Sequence, residues 1–242
     1  MAVDVTYDVD RFDEALDWFL SRVPMTRAES DALTEWSRTR AFWISGVSNA
    51  RMIQDVRDSL AAALERGDPF NEWRPLIQAK LRNEWTLSED ASSARLALIY
   101  RNASMNAYNK GRHEQMTDPD VLDARPWWMY DAIIDGRTSN ICRPLDGTIK
   151  RSDDEFWVDH HPPLHHACRS GVTTLDDYER QELLGGGETR DDGTRVYRND
   201  PADDPLAEPP QDGFGAIPTD SDSDETEGLD PDLQRDLDRQ QS

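Results

Sequence analysis

Residues 127–147 read WWMYDAIIDGRTSNICRPLDG, and the change of texture they mark sets the fold of the chain. From Trp127 to Asp135 aromatic and β-branched residues dominate and alternate with others, the pattern of a strand. DGRTSN and LDG are turn-forming, because Gly, Asn and Asp bend the backbone cheaply, and TIK at 148–150 is a short returning strand. Further on, SGVTTL at 170–175 reads as another strand. The tandem Pro162 and Pro163 forbid a helix across them and hold that stretch extended. This half is expected to be a small mixed module of two or three strands.

Upstream the periodicity is helical. Phe12, Leu16, Phe19, Leu20 and Val23 recur on one face until Pro24, and TRAE at 26–29 has the form of a capping box. A helical pattern follows through Leu33, Trp36, Trp43, Val47, Ile53, Val56, Leu60 and Leu64 to Gly67, with Gly46 as its dividing point. Asp68 and Pro69 suit the start of the next helix, whose stripe is Phe70, Trp73, Leu76, Ile77 and Leu81. Pro75 inside it predicts a short first piece or a kink. A long helix is expected over 88–116, with Leu96, Ile99, Tyr100, Ala103 and Ala107 on one side. The fold class is therefore α+β: a mainly helical N-terminal region over 1–87, the small module over 88–184, and a tail over 185–242.

That tail holds 17 Asp and Glu against 5 Arg, so it carries −12 of the chain's −22. Its aromatics are only Tyr197 and Phe214, whereas all eight tryptophans lie at or before Trp157. Such a segment cannot bury enough apolar surface to offset its chain entropy, so disorder is expected. The overall negative charge argues against a protein whose main task is gripping duplex DNA. A basic helix face at Arg95, Arg101, Lys110 and Arg112 reads more simply as a solvated face. No run of 18 apolar residues exists to span a membrane, and the acidic start has no apolar signal core. The expectation is a leaderless chain in a reducing compartment, where its two cysteines do not pair by default.

Those cysteines need another explanation. HHPPLHHACRS at 160–170 puts four of the five histidines beside Cys168. Cys142, His165 and Cys168 are suitable zinc ligands, with His161 or Asp135 as a fourth, although the spacing supplies only one close pair. A thiol nucleophile built from Cys142, His165 and Asp135, or a metal-dependent nuclease or toxin-like enzyme centred on His160–His166, uses the same residues. The plainer reading makes Asp135, Arg137 and Thr138 a hydrogen-bonded turn in which Arg137 clamps a carboxylate. The thiols are then small buried groups, and His165 braces its loop through a backbone carbonyl or a carboxylate. In that reading the site is structural and the chain is not an enzyme.

The ordered combination of Asp135, Arg137, Thr138, Cys142, Gly147, Pro162, Pro163, His165, Cys168 and Arg169 resembles the phage Mu F-like family of head morphogenesis proteins, also called minor head or minor capsid proteins. The helix ARLALIYRNASMNAYNKGRHEQM before it is similar too, so the resemblance covers about residues 90–178. His166 stands where a proline is common, and Ser170 where many members carry another cysteine. The resemblance implies a virion component of a tailed double-stranded DNA phage, assembled in the host bacterial cytoplasm and incorporated into the procapsid through the portal protein. It implies links to DNA packaging or ejection in some relatives, and no established catalysis. An acidic tail would be repelled by packaged DNA and would face protein, a portal or scaffold surface, or would keep the free subunit soluble.

Overall fold

The computed structural model describes residues 13–32, 41–81, 89–185, 197–204, 207–211 and 214–215. Helix α1 (Asp13–Leu20) leads into β1 (Val23–Pro24), which pairs in parallel with β2 (Ala41–Phe42). Between them lies α2 (Arg27–Asp31), opened by the expected capping box: Thr26 Oγ1 accepts from Glu29 N at 3.3 Å, and Glu29 Oε2 accepts from Thr26 N at 2.6 Å. The pattern expected to run as helix from Thr26 with one break at Gly46 is thus interrupted earlier, by β2. Phe12, Leu33 and Trp36 lie outside the described residues. Val23, expected on the helical stripe of α1, instead packs with Met25 and Ala41 in a small cluster of its own.

Helix α3 (Ala50–Arg66) is capped by Asn49, whose side chain accepts from Met52 N at 3.2 Å. It ends at Gly67, where φ is 68° and a side chain would be strained. Its buried stripe of Ile53, Val56, Leu60 and Ala63 faces α4 (Phe70–Leu81), which buries Trp73, Ile77 and Leu81. Pro75 neither shortens nor ends α4. It sits on the exposed side with Asn71, so the carbonyl it leaves unpaired faces water. Leu76, expected in the stripe, is exposed. The long helix α5 (Glu89–Met116) adds Leu96, Ala103 and Ala107, and with Phe19 of α1 these side chains make the first core.

Met116, at the end of α5, belongs to the second core. After α6 (Pro119–Ala124) comes the sheet, in the order β4 (Ile149–Arg151), β3 (Trp127–Asp131), β5 (Gly171–Leu175), antiparallel throughout. Alternation along β3 divides its residues. Trp128 and Tyr130 point into the second core with Trp157, Leu164 and Val172, whereas Met129 joins Ile149 and Leu175 on the other face. The strand stops at Asp131 rather than Asp135, because Ala132 N turns to donate to Asp146 Oδ1 at 2.9 Å and Ile133 and Ile134 emerge exposed. A 3-10 turn (Arg143–Leu145), α7 (Phe156–His160) and α8 (Asp177–Gly185) complete the module. Asp118 and Asp154 start α6 and α7 by accepting from Asp120 N and Phe156 N.

The described parts of 197–215 are a strap on this module, where disorder was expected. Ile149 N donates to Arg198 O at 2.8 Å, Ala202 N to Pro144 O at 2.8 Å, Gln211 N to Leu164 O at 3.0 Å and Gly215 N to Pro163 O at 3.2 Å. Backbone hydrogen bonds need no apolar side chains, which is why a composition argument misses them. Gly215 is required where it stands: its φ is 90°, and a Cβ would lie 2.5 Å from Asp159 O. The remaining residues of the tail lie outside the described ones.

Candidate functional site

The turn after β3 is closed by its own side chains. Thr138 Oγ1 donates to Ile133 O at 2.7 Å and accepts from Asp135 N at 2.7 Å, while Asp135 Oδ1 accepts from Arg137 N at 2.7 Å. Across the module, Arg169 meets the same carboxylate with both arms, Nη1 to Oδ2 at 2.8 Å and Nη2 to Oδ1 at 2.7 Å. The clamp expected of Arg137 therefore belongs to Arg169. Arg137 is exposed, and its guanidinium comes no closer than 3.8 Å. The Arg169 guanidinium, aided by the Arg137 amide, holds the Asp135 carboxyl well below the usual carboxylate range. Gly147, with φ 74°, turns the chain into β4 while its N–H returns to Tyr130 O.

Beneath this lock the two thiols meet an imidazole. Cys142 Sγ lies 3.7 Å from Cys168 Sγ and 3.2 Å from His165 Nε2, and the three ligand atoms all lie within 4.8 Å of one another. Both cysteines are free and buried, and His165 is half-buried. His165 Nδ1 sits 2.8 Å from His166 O, the contact of an N–H donor to a carbonyl. Ser139 Oγ is 2.9 Å from His165 Nε2 and accepts from Cys142 N, and Tyr130 Oη donates to Cys142 Sγ at 3.3 Å. The hydrogen bond from Cys168 pulls the Cys142 thiol down, and the same contact, with burial, pushes the Cys168 thiol up. Burial, then the neighbouring Cys142 charge, pushes the Tyr130 phenol well up.

The other histidines of the cluster go elsewhere. His161 is buried, with Nδ1 2.9 Å from Pro162 O and its ring centroid 5.1 Å from that of His113 on α5. It is not one of the three converging ligands. Burial, with His113 nearby, brings its imidazole down to about 3. His160 stacks on Phe156, and His166 packs edge-on against Phe214 of the strap. Pro162 and Pro163, joined by a cis peptide, carry the chain from His161 to His165.

Several contributors were not foreseen. Asn102 Oδ1 accepts from Ala167 N at 2.7 Å, fixing a residue with φ 59°, and Asn109 Nδ2 donates to Ser170 O at 3.2 Å. These residues lie seven apart on α5, two turns along one face, which is the signal that could have marked them. Ser139 and Tyr130 were inside the quoted stretch but look like ordinary turn and strand residues.

Residues 54–173 match the family described as Phage Mu protein F like protein. The match begins at residue 54, within α3, well upstream of the stretch that carries the visible motif. Among curated proteins, the chain is 28% identical over 157 residues to the Mu-like prophage FluMu F protein of Haemophilus influenzae, covering 61% of this chain and 37% of that protein. It is 29% identical over 161 residues to the protein named "Putative capsid assembly protein F" of Escherichia phage Mu, covering 61% and 36%. The chain spans little more than a third of the length of these relatives. No solved structure matches it. Residues 54–173 are thus a Mu F-like region, and the lock and the thiols lie inside it.

Proposed function

We propose that this chain is a structural minor head protein of a tailed double-stranded DNA phage, acting in capsid assembly, and that it enters the procapsid by contact with the portal. The observation that carries the reading is the match of residues 54–173, together with a relative named for capsid assembly. The geometry supports it in kind. Asp135, Arg169, Thr138 and Asn102 spend their polar groups on each other, on backbone and, for Asn102, on the His166 ring, as residues do that hold two segments in register. Among the described residues no helix is long and apolar enough to cross a membrane.

The test is co-purification of the full chain with the portal subunit of the same genome at low salt. A stable complex is the expected result, and none at low salt would remove the portal as partner. The nuclease alternative is decided separately: metal-dependent cleavage of DNA by the purified chain, abolished by His165→Ala, would replace the structural reading.

A further inference from the structure

We propose that Cys142, His165 and Cys168 form a zinc site that ties the turn at 135–142 to the loop at 160–170. Two thiolates and an imidazole are the donor set that zinc prefers over oxygen-seeking cations. The ligand atoms already converge, all within 4.8 Å of one another, and small side-chain shifts bring them to the spacing zinc needs. Tetrahedral zinc with Zn–S near 2.3 Å and Zn–N near 2.0–2.1 Å places two sulfurs about 3.8 Å apart and sulfur and nitrogen about 3.6 Å apart. Here the sulfurs are 3.7 Å apart, and Cys142 Sγ is 3.2 Å from His165 Nε2. A disulfide, by contrast, needs sulfurs about 2.05 Å apart, and both cysteines here are free.

The surroundings prepare the imidazole. A proton on His165 Nδ1, donated to His166 O at 2.8 Å, leaves the Nε2 lone pair facing the thiols, the outer-shell arrangement of histidine ligands to zinc. Ser139 Oγ, 2.9 Å from Nε2, is near enough to supply the fourth ligand, as its own hydroxyl or through a water it holds. Loading needs both sulfurs as thiolates, so whatever proton the pair holds leaves to solvent, and two thiolates then neutralise the ion, so no net charge is left in a buried place. Among the described residues no other group of three or more such side chains converges in this way.

The proposal does not depend on the portal. The full chain, expressed with zinc supplied and purified without chelator, is expected to hold about one zinc per chain, falling at least tenfold in Cys142→Ser and Cys168→Ser. His160→Ala, outside the triad, should keep its zinc. Cobalt added to the wild-type apoprotein should give the thiolate charge-transfer absorption of tetrahedral cobalt, a readout that survives even if a variant fails to fold. Three results would each overturn the proposal: a zinc-free wild-type protein, undiminished zinc in folded Cys142→Ser, or cobalt binding without thiolate absorption.

Discussion

His161 should make the protein lose stability on mild acidification, and the loss can be worked out. The imidazole is buried between α5 and β3, its Nε2 has no hydrogen-bond partner among the described residues, and His113 and Lys110 of α5 add positive potential. The folded protein therefore resists protonating it until about 3, whereas an unfolded histidine titrates near 6.5. Above that upper value both states hold it neutral and nothing is lost. As pH falls below it the unfolded chain gains a proton that the fold refuses, so stability drops toward the folded value. Between pH 7 and pH 5 the cost is about 2 kcal/mol, and it changes little if the folded value is a unit higher. The assay is denaturant unfolding of wild type and His161→Phe at both pH values. Phenylalanine keeps an aromatic ring beside Trp128 and His113, so its loss of the Pro162 contact shifts both measurements alike. The wild type should lose about 2 kcal/mol more than the variant over this interval. Equal slopes for the two proteins would refute the argument, because slopes from carboxylates or bound metal are common to both and cancel.

Asp135→Asn should lower the melting temperature, and Asp135→Ala should lower it further, since asparagine can still accept from the Arg137 amide; the carboxylate is held below its ordinary range, so the gap between wild type and Asp135→Asn should persist at pH 5 and close only as pH falls beneath about 4. Ala167→Gly should stabilise the fold, by up to about 1 kcal/mol in urea unfolding, because φ 59° strains alanine and not glycine; a loss would mean that the Asn102 contact fixes the residue at no cost. Truncation before residue 197 should strip the hydrogen-exchange protection of the Ile149 amide, which donates to Arg198 O, and unchanged protection would show that the strap contributes nothing.

How far the sequence led depends on where the information sits. The helices α3, α4 and α5 were legible because a buried stripe at helical spacing is local and repeated, and the Asn49 and Gly67 ends only trim it. Strands β1 and β2 were not, since two residues carry no period and their pairing comes from the surrounding core. The lock was half legible. Asp135 meets Thr138 and Arg169, and Cys142, His165 and Cys168 meet one another, but spacing along the chain could not tell Arg137 from Arg169 as the arm that reaches Asp135. His161 shows the same limit from the other side: only four residues from His165, it faces α5 and Trp128 while His165 faces the thiols.

The distribution of polar and apolar contacts explains what the lock is for. The Asp135–Arg169 pair is partly open to water, where such pairs contribute modestly. Most of the stability of the module must come from Trp128, Tyr130, Trp157 and Leu164, all buried beneath it. What the apolar cluster cannot supply is register, because hydrophobic contact is not directional. The loop at 160–170 could slide over that cluster at small cost were it not held at fixed points: Arg169 on Asp135, Ala167 on Asn102, Ser170 on Asn109. Two of those points are on α5, which also contributes Leu96, Ala103 and Ala107 to the N-terminal core. A 28-residue helix is about 42 Å long, so one stiff element fixes the loop relative to both cores. Through α5 the position of the loop is thereby tied to that of the helical region, and a shift of one must carry the other with it.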